Sequence, residues 1–171
     1  MSIPKRHVNA PGTYFVTSRT WQSRALFVAE PICNIFVNSL LHYRDEGKFS
    51  LHAYVLMRDH FHLLITSSED ISLERAVQFI KGGSARRIAQ ELLFRFPVWQ
   101  KGFSDHRIRD AQDFATHLAY LNFNPVKKHL AAAPEEYPWS SANGKWRTDP
   151  WPQRLKPPSN LDRYGTAKAM P

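Results

Sequence analysis

The chain has 171 residues, of which 43% are hydrophobic, which is enough for one compact domain with its own core. Its 23 Lys and Arg residues outnumber its 15 acidic residues, and the net charge of +8 favours a polyanionic partner such as nucleic acid. No apolar run approaches the roughly 20 residues of a membrane span, and no apolar stretch follows the basic N-terminus. The single Cys33 cannot form an internal disulfide. We therefore expect a cytoplasmic protein without a membrane partner.

The residue pattern predicts four strands and three helices. In chain order these are a strand over 13–21, a helix over 31–46, two strands over 49–57 and 60–66, a helix over 72–94, a strand over 97–103 and a helix over 110–124. Gly82-Gly83 is expected to kink or split the second helix, 104–109 to form a charged loop, and Pro125 to end the third helix. This order indicates an α+β fold, a ferredoxin-like antiparallel sheet with one added C-terminal helix.

The C-terminal segment differs in composition from the rest of the chain. Pro, Trp, Lys and Arg are frequent there, and residues 144–171 carry a net charge of +4, from six basic and two acidic residues. We therefore divide the chain into a domain over 1–143 and a basic, Pro-rich arm over 144–171. The arm, with Trp146 and Trp151 among its charges, either orders on DNA or folds back to cover the sheet.

Two histidines flank one apolar residue at the start of the third predicted strand, in the run Arg58-Asp59-His60-Phe61-His62. Because side chains alternate across a strand, His60 and His62 point to one face, with Cα atoms about 6.5–7 Å apart. Two imidazoles at that spacing can bind one metal ion, or they can be ordinary hydrogen-bonded histidines of a sheet. The pair alone leaves both interpretations open.

The third predicted helix carries a phenol and a carboxamide near its end. Phe114, Leu118 and Leu121 form its apolar stripe, and Tyr120 and Asn124, four residues apart, share a neighbouring face. Tyr120 is therefore expected in the last helical turn, beside the core. The two side chains are either a boundary aromatic and a helix-terminal residue favoured before proline, or a nucleophile and a third metal ligand.

The His-Phe-His strand is followed about sixty residues later by YLNFNPVKKHL. This arrangement resembles the single-tyrosine HUH transposases, which are related to insertion-sequence transposases of the IS200 type. Two further blocks, VWQKGFSDHRIRD before the tyrosine helix and YPWSS after it, resemble the branch associated with bacterial repetitive extragenic palindromes (REP). The resemblance spans roughly residues 13–141, with Arg58-Asp59 where related sequences often carry Pro-Asn.

The resemblance implies the HUH endonuclease fold and a metal-dependent transposase that nicks and rejoins single-stranded DNA. Tyr120 would be the nucleophile that forms a 5′-phosphotyrosine, and His60, His62 and Asn124 would bind one Mg²⁺ or Mn²⁺ ion. The implied partner is hairpin-forming REP DNA in a bacterial cytoplasm, at the nucleoid. Relatives act as monomers or as homodimers, so both states stay open for this chain.

Basic residues surround the predicted site along the sequence. Any one of them can be a solvated surface residue, but as a set they predict a groove for single-stranded DNA. The predicted DNA-binding residues are Arg58, Lys81, Arg86, Arg87, Lys101, Arg107, Arg109, Lys127 and Lys128.

Two other functions fit the same residues. A module of this fold could bind a DNA or RNA hairpin without cutting it, in which case the histidines would be structural. A metal-dependent phosphodiesterase could instead activate water, with Tyr120 incidental. Only the transposase mechanism requires the tyrosine, both histidines and Asn124 together.

Overall fold

The computed structural model describes residues 11–155. In chain order the elements are β1 (Thr13–Arg19), α1 (Glu30–Asp45), β2 (Phe49–Leu56), β3 (His60–Ser67), α2 (Leu73–Leu92), β4 (Ser104–Arg107) and α3 (Ala111–Lys127). The strands pair in the order β2-β3-β1-β4, and every pair is antiparallel. The predicted ferredoxin-like sheet with an added helix is therefore confirmed. Within the described ranges, no helix is long and apolar enough to cross a bilayer.

The sheet separates two hydrophobic cores. On one face, α1 and α2 cover the side chains of Phe61, Leu63 and Ile65 of β3. On the other face, Phe114 and Leu121 of α3 pack against a smaller core. Because successive side chains of a strand point to opposite faces, β3 must present His60, His62 and Leu64 to α3.

A register shift in β2 determines which of its side chains face each of the two cores. The pairing of β2 with β3 shifts between Leu51 and Ala53, which is the mark of a β-bulge at His52. Leu51 lies in the core beneath α1 and α2, whereas Ala53 and Val55 lie in the core beneath α3. The bulge therefore resets which residues of β2 face each layer.

The fourth strand was predicted in the wrong place. Residues 97–103 contain no strand beyond a single bridge between Trp99 and Thr20, and β4 is formed by Ser104–Arg107 in the predicted charged loop. Val98 and Trp99 pack into the core as an irregular segment, which explains their apolar character. The polar sequence of β4 suits a short edge strand that is partly exposed.

Two predictions about helix interruption were also wrong. The α2 helix runs through Gly82 and Gly83 without a break, and Ser72 caps its start by accepting a hydrogen bond from the Arg75 N–H. Helix α3 continues past Pro125 to Lys127, so Tyr120 lies in its second half and not in its last turn. The helix ends where His129 takes the left-handed conformation (φ 58°).

The segment after α3 runs along the outer edge of β2. Tyr137 donates its hydroxyl proton to the Leu56 carbonyl at 2.7 Å, and Ser140 forms a bridge with Val55. Further on, Asp149 binds the Arg44 guanidinium at 2.8 Å and 3.1 Å. These contacts cover an edge strand that would otherwise expose unpaired backbone groups.

The first part of the predicted arm also contacts the sheet layers. Trp146 packs against the core beneath α1 and α2, and Trp151 and Leu155 pack against the core beneath α3. For residues up to Leu155, these contacts favour the alternative in which the arm folds back on the sheet. The division between 143 and 144 stays a prediction, and Lys156, Arg163 and Lys168 of the arm lie outside the described residues.

The two adjacent glycines of α2 offer a matched test of this packing. A methyl group at Gly83 would lie 2.3 Å from the Tyr43 ring of α1, whereas one at Gly82 would meet nothing within 4 Å. We expect Gly82→Ala to raise the free energy of unfolding by about 0.5–1 kcal/mol through helix propensity. Gly83→Ala is expected to lower it by about 1–3 kcal/mol through overpacking. Urea denaturation of both variants measures the difference, and equal effects would contradict the close approach of α1 and α2.

A candidate metal and tyrosine site

The two histidines of β3 lie side by side beneath α3. Their ring centroids are 4.8 Å apart, and the rings meet edge to face. The alternation of the strand turns both rings toward α3, while Phe61 between them stays in the opposite core. The expected shared face of the pair is therefore present.

His62 is almost fully buried, and one of its ring nitrogens lacks a partner. Its Nδ1 lies 2.7 Å from the Thr17 hydroxyl of β1, whereas its Nε2 is buried without any hydrogen bond. Burial lowers the pKa of His62 to about 3, with smaller contributions from the neighbouring His60 and from Arg19. The imidazole is therefore neutral near pH 7, which is the form that binds metal ions.

His60 is oriented by an acidic neighbour. Its Nδ1 lies 2.6 Å from a carboxylate oxygen of Asp59, and the other carboxylate oxygen lies 3.4 Å from the Arg19 guanidinium. Burial lowers the pKa of His60, and the Asp59 carboxylate opposes part of that shift. With Nδ1 donating to Asp59, the Nε2 atom keeps its lone pair. A carboxylate behind an imidazole is the usual second-layer partner of a metal-binding histidine.

Helix α3 brings the predicted phenol and carboxamide to the same place. Tyr120 and Asn124 line one cleft of about 470 Å³ together with His60 and His62. Asn124 is buried, and its Oδ1 has no hydrogen-bond partner. Two buried atoms that can donate lone pairs, Nε2 of His62 and Oδ1 of Asn124, are thus left unpaired in one cleft. Because most buried polar atoms in proteins are paired, both atoms fit ligands of a metal ion.

Tyr120 keeps its side chain 44% exposed above this cleft. Its ring contacts His62 edge to face, with centroids 5.4 Å apart, and meets Phe15 of β1 at 5.9 Å. Phe15 also stacks on His62, so one β1 side chain supports both rings. The Lys127 ammonium lies 5.6 Å from the centre of the Tyr120 ring. A phenol in this setting is accessible to a large substrate and has a cation nearby.

The predicted DNA-binding residues fall into three groups. Arg58 and Lys128 line the cleft, and Lys127 lies on the tyrosine. Arg107 and Arg109 line a separate cleft of about 640 Å³ beside residues 149–155. Of the four others, Lys81 donates to the carbonyls of Gln100 and Gly102 and Arg87 pairs with Glu91, while Arg86 and Lys101 are exposed.

The comparisons with known proteins show the family to which the chain belongs. Residues 13–122, more than half of the chain, match the family described as "Transposase IS200 like". The chain belongs to the IS200-like transposase family.

Individual relatives carry the name of the REP-associated branch. A Haemophilus influenzae protein named as a REP-associated tyrosine transposase is 26% identical over 163 residues, covering 90% of this chain and 92% of the relative. The REP-associated tyrosine transposase of Escherichia coli K12 is 24% identical over 142 residues, 82% of each chain. The fold is similar to that of a REP-associated tyrosine transposase bound to a REP hairpin, with a TM-score of 0.68 at 23% identity, covering 95% of this chain and 98% of that one. The predicted resemblance is confirmed.

Sequence reasoning missed the transposase residues that support the site from β1. Thr17 pairs with His62 and Arg19 pairs with His60 across the antiparallel β1–β3 ladder. Phe15, Thr17 and Arg19 are every second residue of β1 and therefore point to one face of the sheet. Once the pairing of β1 with β3 is known, this spacing predicts that they lie beside the two histidines. Asp59, whose carboxylate binds the His60 imidazole, was considered only as part of the turn before the histidines.

A second group of side chains that could hold a metal ion lies at the start of α3. The ligand atoms of His106, Asp113 and His117 all lie within 4.8 Å of one another. The Asp113 carboxylate, however, already receives His106 Nε2 at 2.8 Å, the Arg109 N–H at 3.0 Å and the Arg109 guanidinium at 3.3 Å. A guanidinium at that distance opposes a bound cation. Without an ion, the group acts as a hydrogen-bonded anchor between β4 and α3.

This anchor predicts an acid-sensitive part of the stability. Burial alone would raise the pKa of Asp113, but hydrogen bonds from Arg109 and His106 lower it to about 2, below the ordinary 3.8. A lowered folded-state pKa gives stability that is present above about pH 4 and is lost as the pH falls toward 2. We expect Asp113→Asn to lower the free energy of unfolding by about 1.5–3 kcal/mol at pH 7.

Chemical denaturation between pH 7 and pH 2 measures this effect. The difference between wild type and Asp113→Asn should shrink as the pH falls from 4 to 2. The exposed Asp70→Asn is the control and should change stability little at any pH. A pH-independent difference for Asp113→Asn would contradict the anchor.

Proposed function

We propose that this transposase is a metal-dependent endonuclease and strand transferase for single-stranded DNA, with Tyr120 as its nucleophile. The observation that carries the proposal is the shared cleft of His60, His62, Asn124 and Tyr120, in which two buried ligand atoms lack partners. A hairpin binder would need neither those unpaired atoms nor an exposed phenol beside them. The residues of the cleft therefore favour catalysis over binding alone.

His60, His62 and Asn124 would hold one Mg²⁺ or Mn²⁺ ion. Two neutral imidazoles and one amide oxygen leave the full charge on the ion, and the amide oxygen together with open positions for water or phosphate oxygens would suit Mg²⁺ or Mn²⁺. When bound, the ion would supply positive charge against the oxygens of the phosphate that is cut. Asp59 and Thr17 would hold the two imidazoles with their Nε2 lone pairs directed at the cleft.

Tyr120 would carry the covalent step. Its hydroxyl oxygen would form a bond to phosphorus while the bond from phosphorus to the 3′-oxygen breaks, leaving a 5′-phosphotyrosine and a free 3′-OH. The phenol proton would pass to solvent, and the 3′-oxygen would take up a proton. Because the new ester keeps the energy of the phosphodiester, a 3′-OH can reverse the step without ATP. No GxxxxGK[ST] motif occurs in the sequence.

Hairpin-forming REP DNA is the substrate that we propose. The similar solved structure is that of a REP-associated tyrosine transposase with a REP hairpin bound. In this chain, Arg19, Arg58 and Lys128 line the cleft and Lys127 flanks Tyr120, so the phosphodiester backbone would meet cations from β1, the β2–β3 turn and the end of α3. The other predicted basic residues would extend the groove.

Covalent capture tests the nucleophile. Wild type incubated with a labelled hairpin DNA and Mn²⁺ should give a protein–DNA adduct that survives denaturing gel electrophoresis. Tyr120→Phe should give none, because it lacks the attacking oxygen, whereas Tyr43→Phe in the opposite helix layer should behave as wild type. Cleavage that persists in Tyr120→Phe would identify a water-activating phosphodiesterase, and DNA binding without cleavage in wild type would identify a binding module.

Calorimetric titration with Mn²⁺ tests the ligand set. Asn124→Ala and His62→Ala should each weaken Mn²⁺ binding by about tenfold or more, because each removes one unpaired ligand atom. Asn38→Ala, an exposed asparagine of α1, is the matched control and should leave the affinity unchanged. If the metal instead binds at His106, Asp113 and His117, then His106→Ala will weaken binding and Asn124→Ala will not.

A further inference from the structure

A partly exposed aromatic patch is formed by the turn after β1 and the segment after α2. We define the aromatic patch as Trp21, Arg24, Phe94 and Phe96. Phe96 is 65% exposed and Trp21 is 38% exposed. Soluble domains rarely leave neighbouring large apolar side chains in water unless they bind something. The patch is therefore a candidate binding surface.

Arg24 holds the patch together. Its guanidinium lies 5.7 Å from the centre of the Phe94 ring and 5.6 Å from that of Phe96. It also donates to the Trp21 carbonyl at 3.3 Å and to the Pro97 carbonyl at 2.8 Å, which joins the turn after β1 to the segment after α2. The two phenylalanine rings meet edge to face at 5.9 Å. The result is a pair of phenylalanine rings with a cation beside them, joined through Arg24 to the backbone of Trp21.

The turn that carries Trp21 and Arg24 borders the cleft that contains Tyr120. Ser23 and Ala25 line that cleft, and they alternate along the chain with Arg24 of the patch. One short turn therefore contributes residues both to the cleft and to the aromatic patch. A polynucleotide strand that leaves Tyr120 along this turn would pass over the patch.

The backbone of the patch is held in an unfavourable conformation. Gln22, Ser23 and Leu93 have φ values of 55°, 52° and 52°, the left-handed region that non-glycine residues rarely adopt. Among the described residues, only His129 shares this feature without being glycine. Such strain persists where the surrounding contacts enforce it, and it concentrates at binding and catalytic sites. Leu93 is the left-handed residue that ends α2, as His129 is for α3, so the strain that suggests a binding site is that of Gln22 and Ser23 in the turn after β1.

We propose that the aromatic patch binds one or two unpaired bases of the DNA strand next to the phosphate that Tyr120 attacks. This inference rests on the proposed function. The exposed rings of Phe96 and Trp21 and the guanidinium of Arg24 match the chemistry that holds unpaired bases, since every base offers a π face for stacking. Stacking distinguishes unpaired from paired bases but hardly one base from another. The patch would therefore select single-stranded flanks and leave sequence recognition to other contacts.

Fluorescence anisotropy with three labelled DNA probes tests the proposal. The probes are a hairpin with a single-stranded flank, the same hairpin with abasic sites in that flank, and the hairpin without a flank. Phe96→Leu and Trp21→Leu keep an apolar side chain but remove the ring, and each should weaken binding of the flanked hairpin about tenfold. Neither should change binding of the other two probes. Phe96→Tyr, which keeps the ring, should bind as wild type.

The outcomes separate this inference from the proposed function. Wild type itself should bind the abasic probe more weakly than the intact flank, a comparison that needs no variant. Equal binding of all probes by wild type and variants, or an equal loss on every probe, would overturn the role of the patch. A change of oligomeric state in Phe96→Leu with unchanged DNA binding would assign the patch to a second copy of the chain and also overturn it. If flank-dependent losses occur but no tyrosine adduct ever forms, the proposed function fails while base binding by the patch stands.

Discussion

The candidate site depends on the face to which β3 turns each of its side chains. Phe61, Leu63 and Ile65 fill the core beneath α1 and α2, and burying each contributes about 1.5–3 kcal/mol. A slip of one residue would move all three out of that core and drive His60 and His62 into it. The hydrophobic residues of β3 therefore fix the position of the histidines, although they touch nothing in the cleft.

The partners of the histidines follow from the same register. Because β1 runs antiparallel to β3, Thr17 lies opposite His62 and Arg19 lies opposite His60. The Thr17 hydroxyl then meets His62 Nδ1, and Arg19 meets the carboxylate that binds His60. These contacts leave the two Nε2 atoms as the remaining ring nitrogens. The pairing of β1 with β3 thus sets the orientation of the His60 and His62 rings. The sequence alone shows only that the two histidines lie close together along one strand.

Features that depend on one helix or strand could be predicted from the sequence, whereas features that depend on pairing between distant strands could not. The shared face of the histidine pair and that of Tyr120 and Asn124 could be predicted because each pair lies in a regular element with a clear period, whereas their assignment to one site came from the resemblance to the family. The β4 strand could not, because it has four polar residues at a sheet edge and gains its pairing from β1, about ninety residues earlier. Val98 and Trp99 misled the prediction, since their apolar side chains fill the core from an irregular segment. Thr17 and Arg19 gained meaning only from a pairing between distant parts of the chain.

The most informative failure concerns Asn124. A residue before proline is disfavoured in the helical region, yet Asn124 and Pro125 both stay within α3 and are buried. Because the helix continues past Pro125 to Lys127, Asn124 lies inside it, one helical turn after Tyr120 and on the same face. Asn124 therefore stays helical against the conformational preference of a residue before proline. Its Oδ1 is unpaired, in a cleft where His62 Nε2 is also unpaired. Each such atom costs about 1–3 kcal/mol, and a ligand that pairs them would return that free energy to the folded state alone. The cleft is therefore less stable by itself than with its ligand, as expected of a site formed for binding and not for stability.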